Sequence, residues 1–284
     1  MITFFRRRGL GLTSCREMAR IINEELGGGA RVVRNDRADA IVPGDTVVRW
    51  GCTSTIPALN VTVINGSAAI HKCNDKAGAR MLLQEVGVPV PKTWNSLSSF
   101  VNDTFPIDVL SCSRYVARKN NHSQGRNLIW GNRRCVARAV QEWGEGYISE
   151  YIPKVREVRV FVANGRAVWV AEKTPGNPDD VAWNVARGGR FDNVKWGDWP
   201  MPAVRAAVAA SNVIGTDFAG VDVMLDADNN PYVLELNSAP SQTSPYRQLC
   251  SAKAFKWMHD HRGETLPIVT EGGWKEYIHP AIRS

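Results

Sequence analysis

The chain has 284 residues, 44% hydrophobic and 22% charged, with a formal net charge of +7; the length can hold one large domain or two to three small ones, and the composition is ordinary for a globular protein and unlike that of a disordered chain. Six scattered cysteines without a C-x-x-C pair indicate neither a disulfide scaffold nor a zinc site, and no apolar run reaches the length of a membrane span. The opening Met1-Ile-Thr-Phe-Phe-Arg-Arg-Arg8 places its charges after its apolar residues, the reverse of a secretory signal, so a cytoplasmic protein with reduced thiols is expected.

The N-terminal segment alternates strand and helix signals. Residues 1–7 read as a strand, Ser14 as the cap of a helix running to Leu26, and residues 31–35, 46–50 and 61–65 as further strands. Such alternation predicts a small parallel α/β domain. Gly9-Leu-Gly11 lacks the third glycine and the later acid of a dinucleotide loop and reads as a turn. A second helix spans Asn74 or Asp75 to Glu85, closed by Gly87 and the Pro89-Val-Pro91 block.

From there the pattern turns to hairpins. Residues 114–119 and 126–130 flank the polar tip Asn120-Asn-His-Ser-Gln-Gly125. Backbone N–H groups of such a loop can fold over phosphates while Arg118 or Lys119 at the strand end neutralises them, although any solvent-facing hairpin has the same look. After a strand over 146–152, Asn164-Gly165 is a strong hairpin signal. Regular pairing about it puts Glu157, Arg159 and Glu172 on one face and Lys173 at the end of the opposite face, behind Val158, Val160, Val162 and Trp169. Mutual salt bridging is the plain reading of the first cluster; a lysine ending an apolar face is harder to dismiss in that way.

The segment Gly220-Val-Asp-Val-Met-Leu-Asp-Ala-Asp-Asn-Asn-Pro-Tyr-Val-Leu-Glu-Leu-Asn-Ser-Ala-Pro240 is the most informative of all. Two strands flank a turn built from Asp226, Asp228, Asn229, Asn230 and Pro231. Symmetric pairing sets Asp222 across from Glu235 and puts Asn237 on the face of Glu235. Two carboxylates about 5 Å apart repel unless a cation sits between them. A solvated acidic hairpin is the plain alternative, but Val221, Val223, Leu225, Val233, Leu234 and Leu236 mark both strands as buried, and buried strands do not carry acids without partners. Carboxylate and amide oxygens suit Mg²⁺, which shares its shell with substrate phosphates, so a nucleotide–metal site is expected.

Basic clusters at Arg6 to Arg8, at Arg133, Arg134 and Arg138, and over 253–262 permit a polyanionic partner. They are scattered and carry no recognisable nucleic-acid motif, so nucleic acid is possible but not indicated, and the phosphates of a small ligand would serve equally well.

The order of these pieces resembles the ATP-grasp superfamily, most closely the ligases that join amino acids to a carboxylate, such as the ribosomal-protein glutamate ligases. The resemblance runs from about Ile64 to Pro240. It is carried by Asn65-Gly-Ser-Ala-Ala-Ile-His-Lys-Cys-Asn-Asp-Lys76, Gly87-Val-Pro-Val-Pro-Lys-Thr93, the glycine-containing loop, Tyr147-Ile-Ser-Glu-Tyr-Ile152, Trp183-Asn-Val-Ala-Arg-Gly-Gly189 and the acidic hairpin. It implies an α/β (α+β ATP-grasp) architecture: a small N-terminal parallel α/β domain at 1–72, then two α+β subdomains clasping ATP, 73–152 with the glycine loop and hinge, and 153–284 with the metal hairpin and a tail.

The resemblance also implies roles. Lys76 is similar to the first phosphate-contacting lysine, and Arg118 or Lys119 to the strand cation. Ser123 and Gly125 fall in the loop over the β and γ phosphates, Glu150, Tyr151 and Ile152 in the hinge that reads adenine, and Glu157 at the acid that holds the ribose. Asn184 and Arg187 face acceptor and acyl phosphate, with Lys173 a third catalytic candidate. Asp222, Glu235 and Asn237 match the ligands of Mg²⁺, two ions being expected. The implied activity is ATP-dependent amide-bond formation between a carboxylate and an amine of a small molecule, peptide or protein end, through an acyl phosphate, with release of ADP and phosphate. A phosphotransferase without amine ligation and a non-catalytic nucleotide-dependent binding module are the alternatives. The chain is expected to be a monomer or homodimer. The tail over 241–284, with a helix expected at 246–259, has no role that its residues define; covering the active site and forming a dimer contact are both open to it.

Overall fold

The computed structural model describes residues 1–104, 114–120, 127–177, 180–183 and 188–264. The N-terminal strands β1 (Ile2–Arg6), β2 (Ala30–Arg34), β3 (Thr46–Trp50) and β4 (Thr62–Ile64) form an all-parallel sheet in the order β2-β1-β3-β4, with helix α1 (Leu12–Glu24) in the first crossover. Strands β1 and β3 are buried throughout, as their near-continuous apolar runs require.

Ser14 is not the cap of α1. Gly11 holds that position at φ 67°, and a Cβ there would lie 2.2 Å from the Trp50 ring, so only glycine fits. Ser14 lies inside the first turn, buried, where its hydroxyl donates to the Gln242 carbonyl at 3.3 Å and accepts the Gln242 N–H at 3.1 Å. The residue pins a distant segment instead of starting a helix.

Helix α2 (Ser67–Asn74), not expected as a separate element, leads into α3 (Lys76–Glu85). Asp75 caps α3 by accepting the Gly78 N–H at 3.0 Å. A four-stranded antiparallel sheet follows, β5 (Thr93–Trp94), β6 (Tyr115–Arg118), β7 (Leu128–Gly131) and β8 (Tyr147–Glu150), in the order β5-β8-β6-β7. Two further helices missing from the hairpin expectation, α4 (Leu97–Thr104) and α5 (Arg133–Trp143), complete it around Trp94, Phe100, Tyr115, Val136 and Ile148.

The third sheet is antiparallel, β11-β10-β9-β12-β13, from β9 (Arg156–Ala163), β10 (Arg166–Thr174), β11 (Arg190–Asn193), β12 (Phe218–Leu225) and β13 (Pro231–Asn237). Asn164 and Gly165 join β9 to β10 with φ 44° and 73°, the positive pair of a type I′ turn. Helices α6 (Met201–Ile214) and α7 (Pro245–Asp260) pack on this sheet, and α7 also packs on α1. The tail helix thus appears close to its expected place, but as core. Phe255 of α7 lies 5.5 Å from Phe4 and 4.5 Å from Phe218, which in turn sits 4.3 Å from Phe161, so one aromatic chain joins the first sheet to the third. Each of these buried phenylalanines contributes about 1.5–3 kcal/mol through area removed from water.

Two irregularities in the third sheet decide the site. A bulge between Ala167 and Trp169 slips the β9–β10 register by one residue, so Glu172 faces Val158 rather than Glu157. A slip of one residue exchanges faces. Lys173 therefore joins Glu157 and Arg159 on one face, while Glu172 moves to the other and pairs with Arg156 at 2.8 Å. This reverses the face assignment that regular pairing predicts. A second slip, between Asp222/Glu235 and Val223/Val233, leaves Leu234 as the extra residue and sets Asp222 directly opposite Glu235, as expected.

Candidate active site

A cleft of 710 Å³ lies between the second and third sheets. At one end it is apolar and flat-walled: Val116, Leu128, Met224 and Leu234 line it, and Trp130 stacks on Tyr151 with ring centroids 5.5 Å apart. The strand end at Glu150–Tyr151 is fixed there by its N–H groups, which donate to the carbonyls of Lys92 and Arg114 at 2.9 and 3.0 Å. Seven cationic and five acidic side chains line the whole cleft, so the cavity favours an anionic occupant.

The charged end is built from the third sheet and α3. Lys76 opens α3 and Arg80 follows one turn later on the same helix face. Arg80 donates to the carbonyl of Leu234, the bulged residue, at 2.7 Å. Arg159 grips Asp222 in a bidentate pair, Nε to Oδ1 at 2.6 Å and Nη2 to Oδ2 at 2.8 Å. Lys173 Nζ reaches the same Oδ2 at 2.7 Å and also bonds one oxygen of Glu157, whose other oxygen takes Lys154. Lys76 Nζ pairs with Glu235 at 2.5 Å, and the Asn237 amide donates to Glu235 at 3.1 Å.

Burial alone would raise the carboxyls of Asp222 and Glu235. The cations outweigh it: Arg159 and Lys173 hold Asp222 below the usual carboxylate range, and Lys76, with Lys173 and Arg159 behind it, does the same for Glu235. Burial likewise works against the charge on Lys173, but Asp222 and Glu157 overcome it and hold the ammonium above its ordinary value. Burial pushes the Arg118 guanidinium down to about 10.

Nine of the residues picked from the sequence meet here: Lys76, Arg118, Glu150, Tyr151, Ile152, Glu157, Lys173, Asp222 and Glu235 all line the cleft. Asn237 stands beside it through its bond to Glu235. Of the two strand cations, Arg118 faces inward and donates to Ser149 Oγ at 3.0 Å, whereas Lys119 pairs with Glu145 at 3.4 Å and is not among the lining residues. Ser123, Gly125, Asn184 and Arg187 lie outside the described residues.

The sequence did not assign Arg80, Lys154, Trp130 or Arg247 to the cleft, and it gave Arg159 only a structural salt bridge. Arg80 was discoverable from its spacing of four from Lys76. Arg247 comes from α7, where it donates to Asn193 Oδ1 at 2.7 Å and the Phe191 carbonyl at 2.8 Å, a placement that local sequence does not encode.

Protein cations stand where a metal alone was expected between the two acids. Among the described residues no three of His, Cys, Asp and Glu group into a metal cage. Two carboxylates with an amide oxygen nevertheless fit Mg²⁺, a hard ion that commonly takes one or two protein carboxylates and fills its shell with phosphate and water. Glu235, 24% exposed on its side chain, and Asn237 are the accessible donors, with Asp222 behind them at 3%.

A cationic cleft held between two antiparallel sheets, with opposed acids on the last hairpin, defines an ATP-grasp enzyme. Residues 73–256 match the RimK-like ATP-grasp domain, and the chain belongs to that family. One relative, named a probable alpha-L-glutamate ligase, from Aliivibrio salmonicida (strain LFI1238), is 31% identical over 215 residues, 71% of this chain and 69% of the relative. Among solved structures, a RiPP-associated ATP-grasp ligase of Chryseobacterium gregarium, in complex with ADP and a leader and core peptide, superposes with a TM-score of 0.65 at 10% identity over 93% of this chain and 98% of the other. The D-alanine–D-alanine ligase of Bacillus anthracis complexed with ATP gives 0.61 at 15% identity over 88% and 91%. At such identities the structural matches speak for the fold. Membership of the family makes this chain an ATP-dependent carboxylate–amine ligase, in agreement with the resemblance seen in its sequence.

Proposed function

We propose that the cleft binds ATP with its base in the apolar end and its phosphates among the cations, and that a substrate carboxylate is converted there to an acyl phosphate. The carrying observation is the opposition of Asp222 and Glu235, with Asn237 alongside, inside a ring of Lys76, Arg159 and Lys173. The flat slot beside Trp130 and Tyr151 suits a purine. Lys76, Arg80 and Arg118 project towards the triphosphate and offset the repulsion between it and an incoming carboxylate. Glu235, Asn237 and Asp222 would hold Mg²⁺, which supplies further neutralisation of phosphate charge when bound.

In the first step a carboxylate oxygen attacks the γ-phosphorus and the bond to ADP breaks; in the second, an amine nitrogen attacks the acyl carbon, phosphate leaves and the nitrogen loses a proton. Lys173 is held charged by Asp222 and Glu157, so it acts as a fixed positive charge near the transferring group and not as the acceptor of that proton. Positioning and electrostatics carry the chemistry, with no nucleophile from the protein. Asn184 and Arg187 are assigned to the acceptor side by their place in the family motif.

The substrates are a carboxylate and an amine of an amino acid, peptide or protein end, in the cytoplasm. Glutamate is the first amine to test: the relatives are named for it, and Arg247, whose described hydrogen bonds go to the uncharged Asn193 side chain and Phe191 carbonyl, lines the cleft with a positive charge for a second carboxylate. The same reading divides the chain at 72 and 152, following the three sheets. Release of ADP from ATP and Mg²⁺ should depend on both an acid and an amine, and should fall at least about 100-fold in Asp222→Asn and Glu235→Gln, with folding checked by circular dichroism. Undiminished turnover in a folded Glu235→Gln protein would refute the placement of the phosphates.

A further inference from the structure

Between the apolar and the charged end of the nucleotide cleft stands Glu157. On β9 it lies opposite Met224, which lines the apolar end, while Arg159, two residues on, lies opposite Asp222 of the charged end. A nucleoside triphosphate with its base at one end and its phosphates at the other brings its ribose to this boundary, where a carboxylate can accept from the ribose hydroxyls. Glu157 is 3% exposed, with one oxygen taken by Lys173 and the other by Lys154. Each oxygen keeps a second lone pair for a hydroxyl.

The two lysines differ in what else they touch. Lys173 also serves Asp222, at 2.7 Å, whereas Lys154 Nζ lies over the ring of Trp183, 4.5 Å from its centroid. Trp183, with Asp180, Val181 and Ala182 before it, lines the cleft, so one ammonium joins the acid on β9 to a wall supplied by another segment. The backbone beneath is fixed: the Lys154 N–H donates to the Ile152 carbonyl at 2.8 Å and the Val155 N–H to the Leu225 carbonyl at 2.9 Å. The Lys154 side chain is buried, and burial lowers its ammonium from the ordinary value against the pull of Glu157. A desolvated cation is drawn to an indole face by the ring quadrupole, a second attraction beside that of the carboxylate.

We propose that Lys154 is a positioning residue for the ribose of the nucleotide: its ammonium locks the Glu157 carboxylate against the Trp183 ring and so fixes the acid where the ribose hydroxyls arrive. This rests on ATP occupying the cleft. Lys154 acts through Glu157 and touches neither the phosphates nor the reacting carboxylate. Because Lys173 stays bonded to Glu157, removing Lys154 leaves the acid a counter-charge, and Lys154→Met should fold.

Calorimetric titration with ATP and with 2′,3′-dideoxy-ATP, which lacks both hydroxyls, tests this. The unaltered chain should bind ATP at least about tenfold more tightly than the dideoxy nucleotide. Lys154→Met should reduce that preference to less than about threefold by weakening ATP alone, raising the KM for ATP with little change in kcat. Lys154→Arg keeps a cation over the indole and should retain most of the preference. Trp183→Leu should lower it too, and the double variant should be no worse than Lys154→Met, since both act through one contact. Full preference in a folded Lys154→Met protein, additive losses in the double variant, or an equal loss for both nucleotides, which would put Lys154 on the phosphates, would each overturn the proposal. Equal affinity of the unaltered chain for the two nucleotides would overturn it and leave the ATP site standing; no binding of ATP at all would refute both.

Discussion

The two hairpins of the third sheet make the same site by opposite relations to their sequence. In β12–β13 the acids sit where symmetric pairing puts them, because the extra residue Leu234 absorbs the offset between the turn and the Asp222/Glu235 pair. In β9–β10 the stronger turn signal gives the correct turn and the wrong faces, because the slip at Ala167–Trp169 lies between the turn and the functional end. A turn fixes register only as far as the first bulge. The consequence is chemical: one inserted residue takes Lys173 from an apolar face and sets it against Asp222 and Glu157.

Breaking the pairs on the site face tests that contrast most severely. Asp222→Asn leaves Arg159 and Lys173 buried without their shared carboxylate and should cost about 3–5 kcal/mol in chemical denaturation, together with loss of ADP release. Deleting Val168 removes the bulge; turnover should fall at least about 100-fold as Lys173 leaves the site, and Lys173→Met should reproduce the loss in a folded protein. Lys76→Met acts on a partly exposed pair and should raise the KM for ATP about tenfold with a smaller effect on kcat.

Acid titration sharpens the same comparison. Asp222 and Glu235 have folded-state carboxyls held below their unfolded values, so their stabilisation is present above about pH 4 and is lost as pH falls through the depressed folded values. Lys173 is shifted upward, so its contribution is intact below about pH 10 and declines only above the raised value. Urea midpoints of the unaltered protein should therefore be flat with respect to these groups between about pH 5 and 8 and drop below about pH 4, with a shallower drop in Glu235→Gln. The smallest effect belongs to the opposite face: Arg156→Ala breaks a half-exposed pair with Glu172 and should change stability by less than about 1 kcal/mol and leave turnover unaltered.

Much of this architecture is legible in the sequence where periodicity is local. The strands of the parallel sheet, the start of α3 near Asn74 or Asp75 and the opposed acids of the last hairpin follow from apolar runs, turn residues and a period of two. The remainder depends on what the chain meets from afar. Ser14 has the chemistry of a cap, but Gln242 claims its hydroxyl, and the need for Gly11 beside Trp50 exists only once β3 is in place. The expected metal pair acquires protein counter-charges from β9, β10 and α3. Nothing in the segment around Arg247 marks it for the cleft, since its position depends on where α7 docks.

That docking has a consequence for biosynthesis. Phe4 and Trp50 lean on Phe255, whose ring is about 5.5 and 6.3 Å from theirs. At a synthesis rate of about 5–20 residues per second, roughly 10–40 s separate the emergence of Trp50 from that of Phe255. During that interval the first sheet leaves the ribosome with one hydrophobic side uncovered, a window in which holdase chaperones would bind it.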